Sequence, residues 1–95
     1  MIIDLSLNNK ELYDGCEIKE VAGRLSLITP PDIAINIVGK NIAKIVTNTP
    51  NRAYLVLTGP MAVWAYLVVF HAVVHAFKEV WYDDGKGNKL QLAQH

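Results

Sequence analysis

One stretch restricts the possible folds more than any other. Ala53-Tyr54-Leu55-Val56-Leu57-Thr58 is almost continuously apolar, Gly59-Pro60 interrupts it, and Met61 to Phe77 is again apolar apart from His71 and His75. A short run that is apolar at every position, without alternation, suits a strand covered on both faces, and therefore a central parallel strand. The run after Pro60 is too long for a strand and reads as a helix from Pro60 to about Lys78. Its few polar positions, His71, His75 and Lys78, are spaced i, i+4, i+7 and share one face. Such a helix is expected to be buried twice, against the sheet and against a partner subunit. A strand turning through Gly-Pro into a helix also leaves free backbone N–H groups at the carboxyl end of the strand, where α/β proteins hold phosphates.

Met61 to Phe77 stands at the lower limit of length for a membrane span. Two histidines inside it would be costly in lipid, and the preceding strand needs this helix as a cover, so no membrane partner is expected. With 95 residues, 52% of them hydrophobic and 19% charged, the chain forms one domain whose apolar surface exceeds what so small a core hides. Oligomerisation follows as an expectation. Nine basic residues balance nine acidic ones, which gives no support for a long duplex nucleic acid as partner. The single cysteine, Cys16, cannot form an internal disulfide, and no leader-like segment opens the chain, so a reduced cytoplasmic setting is expected.

Ile3, Leu5 and Leu7 alternate with Asp4 and Ser6, predicting a strand over residues 2–7, and residues 10–15 read as a loop or short turn. Glu17 to Val21 and Arg24 to Ile28 read as strands hinged at Ala22-Gly23, either a hairpin or one bent strand. Thr29-Pro30-Pro31-Asp32 is a helix start with threonine as cap. The helix runs to about Val46, with Ile33, Ile37, Val38, Ile42, Ile45 and Val46 inward and Asp32, Asn36, Lys40 and Lys44 outward. Gly39 inside it suggests close packing. Val80 to Tyr82 and Lys89 to Gln94 are strands joined by the glycine-rich turn Asp84-Gly85-Lys86-Gly87-Asn88. The fold class is therefore α/β, with a parallel centre, two helices and antiparallel edge strands.

The candidate chemistry lies at three places. Thr58-Gly59-Pro60 offers an anion-binding turn, since glycine lets backbone approach a ligand. His71 and His75 suit either two metal ligands or a general acid and base, although no H-E-x-x-H signature joins them. Asp83 and Asp84 open the glycine-rich turn, where side-chain hydrogen bonding is their ordinary role. Trp64, Tyr66, Trp81 and Tyr82 lie in apolar runs and read as packing residues, with base stacking as the alternative.

Together, the Gly59-Pro60 turn opening a helix, Trp64, His71 and His75 late in that helix, Val80-Trp81-Tyr82-Asp83, the turn with Gly87, and Gln94-His95 resemble the small CRISPR-associated Csx-three family. The likeness runs from Gly59 to His95, and Pro30-Pro31-Asp32-Ile33 is compatible with it. It implies a small Rossmann-like domain, distantly related to the CRISPR-associated Rossmann-fold domains. It further implies a homodimer that binds cyclic tetra-adenylate, with two dimers sandwiching the ligand, and a manganese-dependent ring nuclease and RNA-end deadenylase. A histidine of the second helix, His71 or His75, and Asp83 would be catalytic, with His75 and Asp83 at the metal and Thr58, Gly59, Pro60 and Lys86 at the ligand. The family follows its aspartate with Pro-Arg-Leu-Gly, whereas this chain has Asp84-Gly85-Lys86-Gly87, leaving Lys86 as the nearby cation. Its helix histidines are often three apart, and here they are four apart. A non-catalytic sensor or sponge for the ring, and a structural homodimer without nucleotide, are the competing expectations.

Overall fold

The computed structural model describes residues 1–95. The elements are β1 (Ile2–Asp4), β2 (Ile18–Val21), β3 (Arg24–Leu27), α1 (Pro31–Thr47), β4 (Tyr54–Thr58), α2 (Val63–Val73), β5 (Glu79–Asp83) and β6 (Lys89–Gln94). Four strands form one sheet in the order β1-β4-β5-β6. β4 is parallel to β1 and to β5, while β6 runs antiparallel to β5. The molecule is thus a small α/β domain with two helices, a parallel centre and an antiparallel edge. β2 and β3 form a separate hairpin, which settles the bent-strand alternative.

Successive crossovers that step the same way across a sheet place their helices on the same face. The core has that arrangement: Val38 and Ile42 of α1 and Ala65, Val69 and Val73 of α2 are buried in one cluster with Ile3, Leu55, Leu57 and Val80. No helix covers the other face, where Ile2 and Tyr54 remain exposed. Val56 points to that face yet is only 2% exposed, because Ile2 and Trp81 flank it on the neighbouring strands. The continuous apolar run of β4 therefore reflects cover by helices on one side and by adjacent side chains on the other, not helices on both.

Several boundaries move for identifiable reasons. β1 ends at Asp4 instead of running to Leu7, because Asp4 Oδ1 accepts the Ser6 N–H at 2.8 Å and Asp4 Oδ2 accepts the Ser6 hydroxyl at 2.9 Å. This side-chain turn competes with the ladder. The segment after it is no peripheral loop: Leu12 and Tyr13 are core residues, and the Tyr13 hydroxyl donates to the Leu5 carbonyl. Thr29 does not cap α1. The N-cap is Pro30, without a side-chain bond, and the Thr29 hydroxyl instead accepts the Glu17 N–H at 2.7 Å, tying the hairpin to the helix start. The inward stripe of α1 is Ala34, Val38 and Ile42, leaving Ile33 exposed, so the predicted face was rotated at its first turn. Gly39 is not required for packing, since an added Cβ would meet nothing nearer than Val68 Cγ1 at 4.0 Å.

α2 is shorter at both ends than its apolar run. Pro60 lies in a bend and Ala62 is the extended N-cap, so the helix starts only at Val63, and residues after Val73 continue as turns. No helix is long and apolar enough to cross a membrane. Its outward face keeps Val63 and Leu67 exposed, at 72% and 63%. β6 also departs from simple alternation. A register shift between Val80 and Trp81 turns Ala93 toward the core and leaves both Leu90 and Leu92 largely in solvent.

Candidate functional site

The carboxyl ends of β1, β4 and β5 bring Asp4, Thr58 and Asp83 side by side, since Asp4 is the register partner of Thr58 and Leu57 that of Tyr82. The Thr58 hydroxyl donates to the Asp83 carbonyl at 3.0 Å, fastening the ends of β4 and β5 together. Gly59 follows with φ of 101°, a left-handed conformation that side chains resist. A Cβ there would collide with the Asp4 carboxylate and lie 3.0 Å from the Ser6 nitrogen. Glycine is therefore demanded twice, by backbone angle and by the carboxylate packed against it. Tyr66, one turn into α2, donates its hydroxyl to the Gly59 carbonyl at 2.5 Å and meets the Tyr82 ring edge-on at 5.5 Å. Burial, followed by the neighbouring Tyr82 and Asp4, pushes the Tyr66 phenol up to about 12.

Thr58, Gly59, Pro60, Tyr82, Asp83, Asp84 and Gly85 line one depression of about 210 Å³ at this edge. Four of the residues predicted from sequence thus converge: Thr58, Gly59, Pro60 and Asp83. Lys86 does not join them. It sits at the tip of the β5–β6 turn, where its N–H donates to Asp84 Oδ1 at 2.7 Å, and its side chain does not line the depression. Asp83 Oδ1 accepts the Gly85 N–H at 2.8 Å. Asp84 accepts from the Asn88 side chain and from the Lys86 and Asn88 backbone, and these bonds hold its carboxyl below the usual range.

The histidines lie at the other end of the sheet. α2 runs back antiparallel to the strands, so His71 in its last turn and His75 just beyond it precede the start of β5, whereas Asp83 ends it. The length of β5 alone separates the two levels by about 13 Å at ~3.3 Å per residue. His75 and Asp83 of one chain therefore do not meet, and the metal pair expected from the resemblance is not assembled within a single chain. No group of three or more His, Cys, Asp or Glu residues in the chain is arranged to hold a metal ion. His75 has another neighbour instead. The His95 ring lies 5.7 Å from it, centroid to centroid, held by a His95 N–H to Lys78 carbonyl bond of 2.8 Å and by Nε2 donating to the Val74 carbonyl at 2.6 Å. Sequence spacing gives no hint of this pair, because only the antiparallel return of β6 brings residue 95 to residue 75.

Elsewhere, Trp81 donates its ring N–H to Glu79 Oε1 at 3.1 Å on the open sheet face, while Trp64 packs on the core. Burial pushes the Cys16 thiol up, away from a reactive thiolate. The largest concavity, about 650 Å³, lies against the second half of α1 and mixes Lys10 and Lys44 with Glu11 and Asp14. It contains none of the predicted residues. Its Asn41 amide is already committed to the Leu12 and Asp14 carbonyls, each at 2.8 Å. Comparison with protein-family models, curated proteins and solved structures returns no match.

Proposed function

We propose that the chain is a small Rossmann-like domain, related to CRISPR-associated Rossmann-fold domains, that binds cyclic tetra-adenylate as a homodimer and opens the ring. It would thereby end the antiviral signal of type III CRISPR immunity in the cytoplasm. One observation carries the reading. Thr58, Gly59, Pro60 and Asp83 line a single depression at the carboxyl ends of two adjacent parallel strands, the place where α/β sheets receive ligands. Two copies related by a twofold axis would present two such edges to a ligand that is itself symmetric. The exposed Val63 and Leu67 on α2 supply apolar surface for the pairing.

Ring opening needs no new element. The 2′-hydroxyl of one adenosine attacks the adjacent phosphorus, the bond to the 5′-oxygen breaks, and a 2′,3′-cyclic phosphate remains on a linear product. One imidazole takes the hydroxyl proton and another returns a proton to the departing 5′-oxygen. His75 and His95 stand close enough to share that work, with His71 one turn away. Because the histidines and Asp83 occupy opposite ends of each chain, the complete site is shared, with the carboxyl edge of one copy facing the histidine end of another. A ligand sandwiched between dimers meets this requirement. Manganese does not fit His75 and Asp83 of one chain together, so the proton transfers assigned here rest on imidazoles. The same bond cleavage extends to adenosine ends of RNA.

The test is incubation with cyclic tetra-adenylate, with and without Mn²⁺, and chromatography of the products. Linear products are expected from the wild type. His75→Ala and Asp83→Ala should each be inactive alone and regain activity when mixed, since each supplies what the other lacks. An intact ring under ample protein overturns cleavage. A second reading, a sensor or sponge that binds without cutting, draws on the separation of His75 from Asp83 and on Asp84-Gly85-Lys86-Gly87 standing where the family has Pro-Arg-Leu-Gly. Tight binding without turnover, unchanged in Asp83→Ala, would establish it. A structural homodimer would show no thermal shift with the ring.

A further inference from the structure

The carboxyl edge has an electrostatic difficulty. Asp4 packs against Gly59, and Asp83 and Asp84 line the neighbouring depression, so three carboxylates surround the place where a phosphate is to sit. Lys86 does not line it. A second depression of about 440 Å³ adjoins the first at Pro60, and across it stand Ser6, Asn8 and the tip of the β2–β3 hairpin. Arg24 is its one charged residue. The hairpin closes through Ala22 and Gly23, both with positive φ, at 52° and 78°, the tight turn that sends Arg24 back along the second strand toward Pro60 and Met61. Arg24 is exposed and makes no ion pair or side-chain hydrogen bond, the only salt bridge in the chain being Lys19–Glu17.

We infer that Arg24 is the phosphate-binding cation of this site, and that the ligand spans Pro60, with one phosphate in the depression beside Thr58 and Asp83 and the next against Arg24. The guanidinium supplies planar, charge-assisted donors where the edge otherwise offers carboxylates. The two adjoining depressions select for at least two linked nucleotides, because a mononucleotide fills only one of them. This inference rests on the nucleotide-binding reading of the carboxyl edge and deepens it by naming a residue far outside the Gly59–His95 stretch.

The experiment titrates wild type, Arg24→Ala and Arg24→Lys with three probes: cyclic tetra-adenylate, linear diadenylate and AMP. Arg24→Ala is expected to weaken cyclic tetra-adenylate and diadenylate at least tenfold, to leave AMP unchanged, and to flatten the salt dependence of log K by about 0.7, the loss of one phosphate contact to a single strand. Arg24→Lys should recover part of the affinity. Arg24 is exposed, so all three proteins should melt alike, which separates lost binding from lost fold. Equal affinity of wild type and Arg24→Ala for cyclic tetra-adenylate overturns the inference and leaves the cyclic-ligand reading standing, and binding of AMP alone overturns both. Binding of diadenylate but not of the ring, weakened in Arg24→Ala, overturns the cyclic ligand and supports Arg24. Binding of none of the probes overturns both.

Discussion

The two ends of the sheet are built differently. At the carboxyl end the polar side chains nearest Gly59 are tied in: Asp4 to Ser6, Thr58 to Asp83, Asp83 to Gly85, Tyr66 to Gly59. At the amino end His71 and His75 stand in solvent with no hydrogen bond, and only His95 is fastened, through Val74 and Lys78. A rigid, preorganised edge suits recognition, whereas exposed imidazoles cost little to keep and stay free to move protons. Changes to the tied groups of the first end should therefore cost stability whether or not activity is lost, and changes to the imidazoles of the second should cost activity with little stability.

The sharpest way to break that contrast is Gly59→Ala. Combining an unfavourable φ with a collision against Asp4, it should cost roughly 2–3 kcal/mol, read as a lowered midpoint in urea unfolding. A loss below about 0.5 kcal/mol would show that the carboxyl edge yields as readily as the amino one. Tyr66→Phe removes the bond to the Gly59 carbonyl and should cost about 1 kcal/mol. The pH dependence follows from the same contact. Because the phenol is pushed up from 10.0 to about 12, its contribution is fully present below pH 10 and is lost as pH rises from 10 toward 12. Absorbance titration should show Tyr66 and Tyr13, which burial also raises, ionising late, and Tyr66→Phe should remove one late step.

Midway between the ends, Gly39→Ala serves as a control, expected to stabilise by about 1 kcal/mol because the helix gains and the added methyl has room. The smallest stability effects belong to the histidines. His95→Ala should cost no more than about 1 kcal/mol for its bond to Val74, and His71→Ala and His75→Ala less than ~0.5 kcal/mol. Cleavage of the ring, in contrast, should fall sharply in His75→Ala and His95→Ala. A large stability loss with activity retained would reverse the roles assigned to the two ends.

Much of the fold was legible in the residues because local rules decided it. The unbroken apolar run of Tyr54 to Leu57 marked the central parallel strand, Pro31 the start of α1, and Asp84 to Asn88 the last turn, each from steric or hydrogen-bonding preferences of a few neighbouring residues. The turn at Thr58-Gly59-Pro60 was legible as an anion-binding place, but Asp83 was grouped with the histidines, and only the pairing of β4 with β5 puts it beside that turn. What the residues by themselves did not disclose depends on side chains distant in sequence. Tyr13 is satisfied in the core because Leu5 lends it a carbonyl, Gly59 is obligatory because Asp4 comes to rest against it, and Thr29 serves the hairpin instead of the helix start. The spacing of His71 and His75 was plain, but only the antiparallel course of α2 and β6 decided that they lie with His95 and away from Asp83. Periodicity states which residues share a face; the direction in which each element crosses the sheet decides which faces and ends are brought together.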